Sequence, residues 1–300
     1  DQVVVGNGSC ELILYAGQAL LDPGTTLIHA DPSFSLYPHL AGAAGAQAIG
    51  VPLARDGGHD LESMAAAVDE RTRLVILCNP NNPSGRYRSA SEIEMFLDLV
   101  PEDVAVLVDE AYFDFVSAPD RGRVMSMARS RENLLVTRTF SKAYGLCGLR
   151  VGYGVGGRSW VDAIDRVRQP FNTNALGQVA ALEGLRRRGE LERRVAETVR
   201  ERERVAAGVA LVGEPFIPSQ ANFILVGSSD GRRPRGDDGG ALHLALLRRG
   251  VIVRDGGALG CPGNIRVSIG TPTENDAFLA ALPEALDEVG HTSQEDGGRP

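Results

Sequence analysis

Leu74-Val75-Ile76-Leu77-Cys78 and Val104-Ala105-Val106-Leu107-Val108 are apolar at every position. The first run opens onto Asn79-Pro80-Asn81-Asn82-Pro83-Ser84-Gly85, and the second onto Asp109-Glu110-Ala111-Tyr112. A strand with one wet face alternates apolar and polar residues, whereas a run without alternation fits a strand covered by helices on both faces. Outward from this pair, further strand-like runs stand at Val3–Val5, Thr25–His29, Gln47–Pro52, Leu134–Arg138 and Val151–Val155, with helix-like stretches between them. This rhythm predicts an α/β fold with a mostly parallel central sheet covered by helices. Two helix starts are signalled: Ser9 ahead of Glu11-Leu12-Ile13-Leu14, and Ser89 with Glu92 three residues on, which is capping-box spacing.

Further along, Leu185–Leu211 places Leu185, Leu191, Val195, Val199 and Val205 near helical spacing among many Arg and Glu residues, and reads as one long amphipathic helix. Its Arg186-Arg187-Arg188 run, with acidic neighbours, is a solvated helix face. After Gly213 the pattern restarts with strands at Asn222–Val226, Val251–Arg254 and Ile265–Ile269, and helices at Leu242–Arg249 and Glu274–Val289. The expected division is a large cofactor-binding domain over 1–208, a smaller C-terminal α/β domain over 209–290, and a flexible tail over 291–300. Gly227–Gly240, rich in Gly, Arg and Asp, reads as a mobile loop.

The 300 residues are 43% apolar and 23% charged, ordinary values for a chain that buries a sizeable core. A formal net charge of -8 argues against a nucleic-acid partner, which needs clustered cations. No window approaches the roughly 18–20 apolar residues of a membrane span, so no membrane association is expected. The four cysteines, Cys10, Cys78, Cys147 and Cys261, form neither a CxxC pair nor a Cys/His ligand cluster. A zinc site and a disulfide framework are therefore not expected, and a cytoplasmic location is.

Chemistry concentrates in Thr139-Phe140-Ser141-Lys142-Ala143-Tyr144-Gly145, followed by Gly148-Leu149-Arg150 and Gly152. Two hydroxyls and a guanidinium suit a phosphate, and a lysine beside a bound phosphate suits a Schiff base to a phosphorylated aldehyde cofactor. Pyridoxal phosphate is the candidate. Such a cofactor needs a carboxylate for its pyridinium nitrogen. Asp109 stands where open α/β sheets place their ligand crevice, and Tyr112 can present a phenol to the same crevice while Glu110 points elsewhere. Asn82 follows another central strand, where its amide can bond a phenolate-type oxygen. Gly6-Asn7-Gly8-Ser9-Cys10-Glu11 links a strand to a helix and offers backbone N–H groups to an anion. It is not a dinucleotide fingerprint, because Glu11 stands where that motif needs glycine, and this argues against a nicotinamide-dependent oxidoreductase.

Taken together, Gly6–Ile13, Asp31–Phe34, Asn79–Gly85, Asp109–Phe115, Thr139–Gly152, Gln169–Asn174 and Ile265–Gly270 resemble, in order, the fold-type I pyridoxal-phosphate aminotransferases of class I/II, in particular the histidinol-phosphate aminotransferase group. The resemblance implies that Lys142 forms the Schiff base and then shuttles a proton, and that Phe34 stacks on the cofactor ring. It also implies that Asp109 holds the pyridinium proton and that Asn82 and Tyr112 bond the phenolic oxygen. Ser9, Cys10, Thr139, Ser141 and Arg150 would bind the phosphate, and Arg266 the substrate α-carboxylate. The implied reaction is transfer of an amino group between histidinol phosphate, or an aromatic amino acid, and 2-oxoglutarate, within a homodimer. A threonine-phosphate decarboxylase-like lyase and a non-catalytic binding module are the alternatives. Cys10 occupies a position that is often aspartate in the family. Several tens of residues ahead of Gly6 are also expected in the family, so the start at Asp1 reads as N-terminally shortened.

Overall fold

A computed structural model describes residues 2–227 and 240–296, residues 291–296 by their backbone alone. The first elements are β1 (Val3–Gly6), α1 (Ser9–Leu20), β2 (Thr26–Asp31), α2 (Leu36–Ala44), β3 (Gln47–Pro52) and α3 (Leu61–Ala66). They are followed by β4 (Thr72–Cys78), α4 (Ala90–Leu99), β5 (Ala105–Asp109), α5 (Arg123–Met127), β6 (Leu134–Thr139), β7 (Gly152–Gly156) and α6 (Arg158–Val167). Two helices, α7 (Ala175–Arg186) and α8 (Arg188–Leu211), lead to β8 (Phe216–Ile217), β9 (Phe223–Val226), α9 (Gly240–Arg248), β10 (Arg254–Asp255), β11 (Ile265–Ser268) and α10 (Pro272–Asp296).

Seven strands form the main sheet in the order β1-β7-β6-β5-β4-β2-β3. From β6 to β3 every pairing is parallel, while β7 runs antiparallel to both β6 and β1. The unbroken apolar runs have the expected cause. Val75, Leu77, Val106 and Val108 pack on one face against Ile93 and Phe96 of α4 and Val124 of α5. Leu74, Ile76 and Leu107 pack on the other against Leu12 and Ile13 of α1, Tyr37 and Leu40 of α2, and Trp160 of α6. A second, antiparallel sheet of four strands, β10-β11-β9-β8, has its own core, in which Val205 and Val209 of α8, Leu242 and Leu246 of α9, and Phe278 and Leu282 of α10 cover Ile224 and Val267.

Between the two sheets runs α8. Arg202, 4% exposed, donates through Nη1 to the carbonyls of Phe115 at 3.1 Å and Ala221 at 3.0 Å. One buried guanidinium therefore ties the long helix both to the segment after β5 and to the approach to β9.

Several expectations need correction. The helix read over Leu185–Leu211 is two helices, because the backbone turns at Arg187 (φ -93°, ψ 37°), a break that neither glycine nor proline signals at that residue. Of the expected strand Val251–Arg254 only Arg254 pairs with β11, together with Asp255 beyond it; the Val251 N–H instead closes the end of α9 on the Leu246 carbonyl. At the start of α1, Gly8 (φ 82°) is the capping residue and no side chain caps the helix, so Ser9 lies inside it. By contrast, Ser89 and Glu92 form the reciprocal capping box at α4. The last helix continues past Val289 to Asp296, so the first six residues of the expected tail are helical. The expected loop over Gly227–Gly240 lies outside the described residues from 228 to 239, as do residues 297–300 of the tail.

Candidate active site

The carboxyl ends of β4, β5 and β6 and the amino end of α1 converge on a cavity of about 170 Å³. It is lined by Ser9, Cys10, Phe34, Asn82, Asp109, Tyr112, Thr139, Ser141, Lys142 and Arg150, together with Cys78, Ala111 and Cys147. Every residue singled out in the sequence except Arg266 thus faces one space. A larger hollow of about 860 Å³ between the 113–121 segment and α8 shares only Thr139 with it and contains neither Lys142 nor Asp109.

At the inner end lies Asp109, the last residue of β5 and 3% exposed. Its Oδ2 accepts a hydrogen bond from the Tyr37 hydroxyl at 3.1 Å and its Oδ1 one from Thr137 Oγ1 at 3.3 Å. Burial pushes its pKa up to about 6, against the pull of Tyr37, Thr137, the Ala111 backbone and Lys142. At neutral pH this is a carboxylate held out of water, and a cation at the ring-nitrogen position would compensate it. Glu110, just past the end of β5, pairs with Arg138 at 2.7 Å.

The opposite end is built for an anion. Thr139 Oγ1 donates to Ser141 Oγ at 2.9 Å and accepts from the Ser141 N–H at 3.1 Å. Arg150 Nη1 donates to Ser141 Oγ at 3.2 Å and to the Cys147 carbonyl at 3.0 Å. Gly8 admits the guanidinium to the amino end of α1, since a Cβ there would stand 2.4 Å from Arg150 Nη2. Gly152 admits the turn itself, because its Cβ would lie 2.3 Å from the Ser9 nitrogen. A helix terminus without a side-chain cap, two hydroxyls and a guanidinium make a donor set suited to phosphate. Cys10 sits in the first turn of α1, its thiol pKa raised by burial and then by Asp109. These residues fit pyridoxal phosphate at both of its ends.

Between the ends, the Lys142 Nζ lies 5.4 Å from the centroid of the Tyr112 ring, which meets Phe223 edge to face at 5.1 Å. Phe34 meets Tyr37 edge to face at 5.7 Å. Arg266, on β11, stands behind the lining. Its Nη1 donates to Asn82 Oδ1 at 2.5 Å, its guanidinium lies 4.9 Å from the Phe223 ring, and its Nε is buried without a partner. Because Asn82 Oδ1 is engaged there, the Asn82 amide NH2 is the group that can donate to an oxygen in the cavity.

Three contributors were missed in the sequence. Tyr37 carried one signal, its spacing of three from Phe34, which a helical turn brings to the same side. Thr137 faces Asp109 across the β5–β6 register, and Cys78 across β4–β5; both become visible only once the strands are paired.

A family model for aminotransferases of class I and II matches residues 1–282. The chain is 43% identical over 287 residues to histidinol-phosphate aminotransferase 1 of Cupriavidus pinatubonensis, covering 95% of this chain and 75% of that protein. It is 40% identical over 284 residues to the histidinol-phosphate aminotransferase of Bacillus subtilis, covering 95% and 77%. Among solved structures, the histidinol-phosphate aminotransferase of Sinorhizobium meliloti in complex with pyridoxal-5'-phosphate matches with a TM-score of 0.86 at 28% identity, covering 96% of this chain and 77% of that one. An aspartate aminotransferase of Thermus thermophilus with maleate matches with a TM-score of 0.82 at 26% identity, covering 95% and 76%.

Two outcomes follow from the geometry. Gly8→Ala forces a Cβ onto Arg150 at a positive φ, so its affinity for pyridoxal phosphate, followed by absorbance titration, should fall by at least about tenfold; unchanged affinity would remove Arg150 from the cradle. For Asp109 the sign runs toward acid stability. A carboxyl with a folded-state pKa of about 6, against an ordinary value of about 3.9, binds its proton more tightly when folded, so stability present near pH 4 is lost as pH rises through 6. Cofactor-free Asp109→Asn should therefore be more stable than the parent at pH 7.5 by on the order of 2 kcal/mol, with the gain vanishing near pH 4 in denaturant titrations.

Proposed function

The chain belongs to the class I and II aminotransferases, and from that premise we propose that it moves an amino group between histidinol phosphate and 2-oxoglutarate. It is an enzyme of the transaminase class with pyridoxal 5'-phosphate as its cofactor. The observation that carries the finer reading is identity near 40% with histidinol-phosphate aminotransferases along 95% of the chain. The gathering of a lysine, a buried carboxylate and an anion cradle around one cavity supports it.

When bound, the cofactor supplies a protonated ring that accepts the electrons of the bond broken at the substrate's Cα. The chain's own residues do the rest. Thr139, Ser141, Arg150 and the first N–H groups of α1, at Ser9 and Cys10, anchor the phosphate. Asp109 holds the proton on the ring nitrogen, Asn82 and Tyr112 bond the phenolic oxygen, and Phe34 covers one face. Lys142, whose Nζ would hold the cofactor when no substrate is present, would take a proton at Nζ and return it as general base and acid. Arg266 binds the carboxylate of the 2-oxo acid in a two-point pair.

A homodimer is proposed with this activity. α7 leaves Leu176, Val179, Leu182 and Leu185 exposed, an apolar row that supports association of two copies. A cytoplasmic location is proposed as well, supported by four free thiols in the described structure. No helix among the described residues is long and apolar enough to cross a membrane.

With pyridoxal phosphate added, the protein should show a visible absorbance band that borohydride abolishes, with the reduced label recovered on Lys142. Lys142→Ala should lose the label and transamination while its circular dichroism stays that of the parent. Lys142 is the only lysine of the sequence, so no label, or a label recovered at the amino terminus, would sink the assignment. In Arg266→Ala the KM for 2-oxoglutarate should rise about 10- to 100-fold, with a smaller change for histidinol phosphate, which has no carboxylate; equal changes for both would refute the role.

A further inference from the structure

Asp109 has two oxygens, and each meets one hydroxyl from a different element: Tyr37 from α2 and Thr137 from β6. Both donors are fully buried, at 0% exposure, so neither bond is traded for water. We infer that Tyr37 and Thr137 form a clamp that keeps Asp109 ionised and fixes the direction in which it faces the cavity, with Tyr37 as a positioning residue for the transamination. The inference rests on the reading of the cavity as the cofactor site.

The physical need is plain from the surroundings. Asp109 faces Cys10 from α1, Tyr37 from α2, Cys78 from β4 and Lys142 from the loop after β6, with Glu110 and Tyr112 beside it in its own segment. Of these only Lys142 is a cation, and it is exposed. Burial drives the Cys78 thiol up to about 12 and the Tyr37 phenol well above its usual value, so both stay neutral and Tyr37 stays a donor across the working pH range. Without the two hydroxyls only the Ala111 backbone and the exposed Lys142 would oppose protonation of the desolvated carboxyl, and a protonated Asp109 cannot hold a proton on a ring nitrogen.

The clamp is also mechanically tied to the ring-covering residue. Phe34 and Tyr37 are one turn apart and in edge contact, and Ser33 Oγ donates to Asn81 Oδ1 at 2.7 Å, fastening that turn to the 79–85 loop that carries Asn82. A single turn thus positions the face of the cavity and the charge state of its floor.

The test begins in the cofactor-free full chain, with carboxyl carbons of labelled aspartate followed by NMR across pH and Asp109 assigned from its loss in Asp109→Asn. Tyr37→Phe should move the Asp109 midpoint up by about one pH unit, with circular dichroism unchanged. Thr137→Val should move it the same way, and Thr137→Ser, which keeps the hydroxyl, should restore the parent midpoint. In the loaded enzyme, Tyr37→Phe should shift the acid limb of the kcat profile upward and lower kcat about tenfold at pH 7, with KM within about twofold. An unmoved Asp109 midpoint in natively folded Tyr37→Phe overturns the clamp. If that variant does not fold, the Thr137→Val and Thr137→Ser pair decides: a shift in the first alone supports the clamp, and no shift in either overturns it. Were the parent to take up no pyridoxal phosphate, the reading of the cavity would fall while the carboxyl titration still decided the clamp.

Discussion

A carboxylate taken out of water at the end of a central strand is the constraint on which the site depends. Asp109 is 3% exposed and its two side-chain donors are neutral hydroxyls. An isolated buried charge is unfavourable by several kcal/mol unless something meets it, and here the surroundings leave room for a cation at the floor of the cavity. The parallel order of β4, β5 and β6 creates that room, because their carboxyl ends diverge into loops on the same side of the sheet. Helices on both faces make the region dry, and dryness makes the charge matter.

The other pole of the cavity is positive by construction. α1 begins at Gly8 with no side chain capping it, so its first N–H groups remain available, and Arg150 reaches them only because Gly8 and Gly152 carry no side chain. A negative floor and a positive rim set a polarity across the cavity that matches a molecule with a protonated ring at one end and a phosphate at the other. Neither pole is sufficient alone. A phosphate cradle occurs in many folds, and a buried strand-end aspartate is commonly a turn residue.

Much of this was legible in the sequence because the local chemistry and the global fold agree. Unbroken apolar runs marked the doubly covered strands β4 and β5, and Asn82 and Asp109, which follow them, line the cavity with Lys142 from the loop after β6. What could not be read depends on partners distant in sequence. Thr137 is an unremarkable strand residue until β6 pairs with β5, and Tyr37 becomes a donor only when α2 packs over the end of β5. Val251–Val253 looked like a strand because they are β-branched, yet tertiary context gave them a different use, closing α9 and filling the smaller core. The break at Arg187 lies within a charged run whose composition favours helix on both sides.

The bond between Arg266 and Asn82 joins the smaller sheet to the loop after β4. A guanidinium has five N–H donors and the Nε of Arg266 is buried without a partner, so a carboxylate can be met there while Nη1 keeps its bond to Asn82. The tether between β11 and the 79–85 loop would then stand whether or not an acid is held, and the connection between the two sheets would not depend on the guest.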